Sequence, residues 1–213
     1  MSSTNEEFKD FCRLAESKGM KVILDSVFSY TSSDSRYFNK QGNYSEIGAY
    51  QSPNSKYHNW YKFRSYPFQY ECWWGIDSKP NINVMQKSYV EYIVTKHDSI
   101  IKRWINSGAS GWKLNVIDEL PDEFIRLIRE KLQEMNKETV LIGDIWEDAS
   151  NKVSYSRKRK YLYGDEVQST TNYPLRESLI NFIKGYAKSD KFRQKIMSLY
   201  ENYPREIFYG SIN

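Results

Sequence analysis

The chain has 213 residues, 39% of them hydrophobic, with a mean hydropathy of -0.75 and a net charge of +4 at pH 7. That length suits one domain or a large part of one. No apolar run approaches the ~18 residues of a membrane span, and no basic start leads into an apolar stretch, so a cytoplasmic protein without a secretion signal is expected.

Residues 5–18 place Phe8, Phe11, Cys12, Leu14 and Ala15 at helical spacing, and Gly19 stops that helix. "MKVILDSVF", 20–28, is a short β-branched run and predicts a buried strand. Residues 29–84 show no long periodicity and are rich in Tyr, Ser, Asn and Trp. A connection of that length is functional or disordered. Aromatics crowd between Tyr57 and Trp74, which argues against disorder. Aromatic content is 16% overall. Such a supply either fills a core or stacks on flat apolar faces such as sugar rings.

A helix is predicted over 87–107, then a strand at 110–116 and a helix over 121–135 with Pro121 at its start. "TVLIGDIW", 139–146, reads as another strand, 148–160 as a short helix, and "EVQSTTNY" as a strand. "LRESLINFIKGYA" and "SDKFRQKIMSLYENY" read as helices, and "EIFYGSIN" as a closing strand-like run. Alternation of this kind implies parallel strands covered by helices. There is no Gly-rich phosphate fingerprint. Cys12, Cys72, His58 and His97 stand apart and make no metal or redox motif. "RKRK", 157–160, is the one tight basic run. It is too short, and too poor in interleaved aromatics, for a nucleic-acid platform, and is read as a solvated helix face.

Three strand ends carry acids or an amide. The first ends with Asp25, the second with Asn115 followed by Asp118 and Glu119, and the third with Asp144 followed by Glu147 and Asp148. Parallel strands bring such ends onto one face, so Asp25, Asn115 and Asp144 are expected to converge on a pocket. Asp and Asn also favour strand ends and helix caps for local reasons; three in step beside a Trp-rich loop favour the site.

"KVILDSVFSYTSSDSRYF", "YECWWGIDSKPNIN", "GASGWKLNVIDELPDEF" and "VLIGDIWEDAS" resemble the conserved stretches of the α-amylase family of glycoside hydrolases, most of all its neopullulanase and cyclomaltodextrinase-like group. The resemblance runs over nearly the whole chain. It implies a partial (β/α)8 TIM barrel, about strands 3 to 7 with their helices. Residues 1–28 and 85–213 would supply the barrel, and 29–84 an aromatic-rich insert after the third strand. It also implies an α-glucan as partner (starch, maltodextrin or pullulan type), with no nucleic acid and no membrane.

The departures from the family pattern bear on chemistry. Asp25 stays, but Ser29 and Tyr30 stand where the family has Asn and His. That Asn helps hold calcium in many relatives, so no metal or other cofactor is expected. Lys113 replaces an Arg, Asn115 occupies the nucleophile position of an Asp, and Asp144 occupies the acid/base position of a Glu. An amide is a far poorer nucleophile than a carboxylate, and the shorter acid loses roughly 1.5 Å of reach. A family Asn-His-Asp stretch near strand seven would follow Asn213, and the first two strands would precede Met1. The expectation is therefore a glycosidase homologue with weak or absent hydrolysis. Its sugar-facing residues would be Asp25, Tyr30, Trp74, Lys113, Glu119 and Glu147, with Trp73 beside them. The alternative is a non-catalytic α-glucan-binding or assembly module, whose open strand edges invite self-association.

Overall fold

The computed structural model describes residues 4–211. Helix α1 (Asn5–Ser17) starts at a capping box: the Thr4 hydroxyl accepts from the Glu7 amide, and the Glu7 carboxylate accepts from the Thr4 amide. Strand β1 (Ile23–Ser26) follows. It pairs in parallel with β4 (Gly111–Leu114), β4 with β5 (Val140–Gly143), and β5 with β8 (Ser169–Thr170). The β1–β4 register sets Asp25 beside Lys113, and the β4–β5 register sets Lys113 beside Ile142. Gly111 is required for the second pairing, since a Cβ there would lie 2.1 Å from the Val140 carbonyl oxygen.

Helix α4 (Asp122–Met135) crosses between β4 and β5. Its buried stripe of Phe124, Ile125, Ile128 and Leu132 joins Leu114 and Leu141 in one core. Full burial of such side chains contributes about 1.5–3 kcal/mol each. Helices α5 (Tyr173–Ile183), α6 (Ser189–Asn202) and α7 (Arg205–Gly210) follow β8. Asn172 caps α5 by accepting from the Leu175 amide. Among the described residues the sheet stays open, with β1 and β8 at its edges. A four-stranded parallel sheet with covering helices is the layout of a partial (β/α) barrel.

Between β1 and helix α2 (Lys87–Val90) the chain makes a long excursion. Its hairpin of β2 (Phe63–Ser65) and β3 (Gln69–Tyr70) closes over an aromatic core. Phe38 is fully buried there, 4.7 Å from the Tyr70 ring and 4.8 Å from that of Tyr61. Trp60 packs on Tyr89 of α2 at 5.0 Å, and the Tyr89 hydroxyl donates to the Phe28 carbonyl, so the excursion is tied to the barrel layer.

Three sequence expectations are corrected. The helix predicted over 87–107 is broken: a π-helical turn ends at Thr95, and α3 (Ile100–Asn106) restarts at Ser99, whose hydroxyl donates to the Val94 carbonyl. Residues 148–160 are not helical but hold a hairpin of β6 (Val153–Ser154) and β7 (Arg157–Lys158). "RKRK" is accordingly no helix face. Arg157 and Lys158 are exposed, while Arg159 is buried against Asp122 at 3.0 Å and the Leu120 carbonyl at 2.7 Å. The run expected to close the chain as a strand is helical through Gly210.

Candidate active site

Period-two alternation puts Asp25, Lys113, Asn115 and Asp144 on one face of the sheet. The ladder runs just past the strand ends: the Asn115 amide donates to the Ser26 carbonyl at 2.8 Å, and the Asp144 amide to the Leu114 carbonyl at 2.9 Å. Asp25, Asn115 and Asp144 thus lie at the same end of neighbouring parallel strands. Val116, next after Asn115, has φ 47°, left-handed backbone that a β-branched residue rarely adopts. This bend turns the chain into the short helical turn Ile117–Glu119.

Lys113 Nζ donates to Asp25 Oδ2 at 3.0 Å and stands 3.8 Å from Asp144 Oδ2. Asp144 is 5% exposed, and its Oδ1 has no partner. Partial burial pulls the Lys113 ammonium down, but the hydrogen bond to Asp25 and the charges of Asp144 and Asp25 outweigh it, so its pKa is raised. Lys113 is therefore a cation hydrogen-bonded to Asp25 and within ion-pair range of Asp144.

A cavity of about 280 Å³ opens beside this cluster. Asp144, Trp74, Glu119 and Glu147 line it, and so do Trp146, Lys152 and Tyr155, none of which had been singled out as site residues. Trp146 lies in the stretch that supplied Asp144, and its spacing of two from that residue was a readable signal. Tyr155 had none, because its segment reads as a helix. The aromatic rings form a ladder: Tyr30 on Trp73 at 5.2 Å, Trp73 on Trp74 at 4.6 Å, and Trp74 against Trp146 at 5.8 Å. Lys79 Nζ lies 4.4 Å from the Trp73 ring centre. Tyr30 thus reaches the cavity through two tryptophans and does not line it. Lys152 bridges Glu147 and Asp118, and the Tyr155 hydroxyl donates to Glu119 at 2.6 Å.

A retaining glycosidase needs two carboxyl groups about 5–5.5 Å apart, one of them a free nucleophile. An amide stands at Asn115, and Lys113 is the ion-pair partner of both Asp25 and Asp144. Ser29, where the family has a calcium-holding Asn, is buried with its hydroxyl unpaired. Among the described residues no group of three or more His, Cys, Asp or Glu side chains is placed to hold a metal. No helix among them is long and apolar enough to cross a membrane.

The chain matches the family model of the α-amylase catalytic domain over residues 3–207. It is 34% identical to an amylopullulanase of Thermoanaerobacterium saccharolyticum, across 100% of this chain and 18% of that protein. It is 26% identical to neopullulanase 2 of Thermoactinomyces vulgaris, across 93% of this chain and 32% of that protein. The solved type III pullulan hydrolase of Thermococcus kodakarensis superposes with a TM-score of 0.77 at 25% identity, covering 96% of this chain and 34% of its own. A cyclic α-maltosyl-(1→6)-maltose hydrolase of Arthrobacter globiformis superposes with a TM-score of 0.81 at 19% identity, covering 96% of this chain and 44% of its own, which speaks to the fold alone.

Proposed function

The chain belongs to the α-amylase family of glycoside hydrolases, and from that premise we propose that it binds α-glucans while hydrolysing them weakly or not at all as it stands. The observation that carries this reading is the Lys113 cluster: one fixed cation holds Asp25 and Asp144 beside an amide at Asn115. In the proposed assignment Asn115 occupies the nucleophile position and Asp144 the acid/base position. Trp74, Glu119 and Glu147 are assigned to substrate binding from the cavity lining, with Asp25, Lys113 and Tyr30 supporting them from behind it. Residues 1–28 and 85–213 are assigned to the barrel, and 29–84 to its insert.

Support comes from the cavity's make-up. Flat aromatic faces beside carboxylates and ammonium groups suit a neutral, polyhydroxylated ring, with stacking on one side and hydrogen bonds at the rim. The relatives named for pullulan hydrolysis favour a linear or branched α-glucan, although this chain spans less than half of their length. The test titrates maltodextrin and pullulan against the fluorescence of the Trp74–Trp146 pair and follows the release of reducing ends. A saturable fluorescence change with no release is the expected pair of results. Turnover by the unmodified chain would overturn the account of Asn115 and Asp144.

A second reading, an assembly module, rests on the free edge of β1. Ile23 is exposed on that strand, and Phe11 and Leu14 are exposed on α1. An open parallel edge with apolar neighbours recruits another strand. Concentration-dependent elution on gel filtration is its expected signature, and a monomer at all concentrations would remove it.

A further inference from the structure

The β6–β7 hairpin turns on Tyr155 and Ser156, both left-handed at φ 50° and 60°. Two successive residues of that kind make the tight turn whose twist matches an antiparallel pair. The turn puts Tyr155 at the hairpin tip, where its hydroxyl donates to Glu119 Oε2.

Tyr155 and Glu119 border a cavity of about 370 Å³ at Pro121, Arg157 and Arg159, and they also stand between two others. On one side is the site cavity with Asp144, Trp74 and Trp146. On the other is one of about 240 Å³ beneath the excursion, between Ser29, Lys62 and Ile82. Both side chains line both spaces. The second cavity in turn shares Glu71 and Asn81 with a third, of about 870 Å³, under the β2–β3 hairpin at Arg64 and Phe68. The site cavity, the one beneath the excursion and the one at Phe68 are linked by shared lining residues, and the first two meet at Tyr155 and Glu119.

Size makes that joint matter. Pockets for small ligands span about 300–1,000 Å³. The first two cavities fall below that range, so an oligosaccharide of several units outgrows the first one, and Tyr155 is part of the wall it would have to pass to reach the second. The third space offers what a sugar ring needs. Phe68 is 78% exposed and stacks on no other ring among the described residues, while Arg64, Gln69, Glu71 and Asn81 supply donors and acceptors at its margin.

We propose that Tyr155, held against Glu119, is a specificity-determining partition that sets the length of glucan the site accepts, and that the cavity at Arg64 and Phe68 is a further glucan subsite behind it. This inference rests on the glucan-binding reading above.

The experiment titrates maltotriose and maltoheptaose against tryptophan fluorescence in four proteins: wild type, Tyr155→Phe, Tyr155→Gly and Tyr155→Gly/Phe68→Ala. Glycine is the right truncation because it accepts the left-handed backbone. The wild type should bind the two sugars with similar affinity, and Tyr155→Phe, which keeps the ring but loses its bond to Glu119, should shift the preference less than Tyr155→Gly. Tyr155→Gly should favour maltoheptaose over maltotriose by on the order of tenfold, and Phe68→Ala in that background should abolish the gain. An unchanged preference in Tyr155→Gly, or a gain that survives loss of Phe68, overturns the partition while leaving glucan binding in place. A flat wild-type titration with both sugars, in protein whose circular dichroism shows it folded, overturns the glucan reading and this inference with it. Tyr155→Asn, also compatible with the turn, replaces the glycine variant if that one does not fold.

Discussion

Lys113 is the ion-pair partner of Asp144, its Nζ 3.8 Å from the Oδ2 of a carboxylate that is 5% exposed. A buried charge left without its partner costs more than the pair contributes. Lys113→Met is therefore expected to destabilise the chain by about 3 kcal/mol, read as a lower urea midpoint with unchanged slope. Adding Asp144→Asn should return most of the loss, because the orphaned charge goes with it. A double variant no more stable than the single one would show that the pair is not the cause.

Glu166 supplies a pH dependence of known sign. It is fully buried, and Arg126 is its ion-pair partner at 3.2 Å. Burial, and then the nearby charge of Asp122, push its carboxyl up to about 7, against the pull of Arg126 and Arg159. A raised acid binds its proton more tightly folded than unfolded. Stability should then fall as pH rises from about 4.5, the unfolded value, to about 7, and stay low above it, by up to about 3 kcal/mol. Glu166→Gln should flatten that slope and raise stability at about pH 8 relative to wild type. Parallel urea curves at about pH 5 and about pH 8 check it; an equal slope in the variant assigns the dependence elsewhere.

The parts of the fold that were legible in the sequence are those where one physical signal dominates. "GWKLNV" and "VLIGD" are short apolar runs with flanking glycine and acid, and they form β4 and β5. The parts that were not legible lack a local signal. The tight hairpin turn is announced by Asn-Gly in most sequences, and here Tyr155 and Ser156 fill it. "EIFYGSIN" is too short for periodicity to separate helix from strand. The break near Thr95 had a cue in Ser99, a cap residue ahead of a new apolar run. The strand ends put Asp25, Asn115 and Asp144 at one end of the sheet, but of these only Asp144 lines the cavity, and the bridging of Asp25 and Asp144 by Lys113 had no local signal. The joining of the three cavities depends on how the excursion folds back, which no local pattern encodes.

Val116 holds a strained backbone at the mouth of the cavity. Left-handed conformation costs an ordinary residue about 1–2 kcal/mol, and Asn bears it more easily. Val116→Asn should raise stability by about 1 kcal/mol, and Val116→Ile should not. The measurement is the thermal midpoint by calorimetry. A lowered midpoint for Val116→Asn would mean that the valine's packing outweighs the strain.

The last expectation concerns chemistry at Asn115. The β4 register and the Asn115 amide bond to Ser26 keep the backbone in place, so Asn115→Asp restores a carboxylate where an amide stood. The new carboxylate would stand two residues along the chain from Lys113, on the same face of the sheet, and the Lys113 ammonium already serves Asp25 and Asp144. A point-like ammonium lacks the planar fork with which an Arg holds a carboxylate from two sides. Asp144 would still fall roughly 1.5 Å short of the reach of a Glu, and a misplacement of about 1 Å can cost on the order of 100-fold in rate. Catalytic groups that act as a unit are strongly non-additive. Asn115→Asp alone should therefore release no measurable reducing ends from maltodextrin or pullulan. Turnover should need Asn115→Asp, Lys113→Arg and Asp144→Glu together, in a hybrid that carries the remaining strands of an eight-stranded barrel from a relative. Full turnover by the single variant would show that Lys113 and Asp144 are already placed for catalysis, and that one amide is all that separates this site from a working glycosidase.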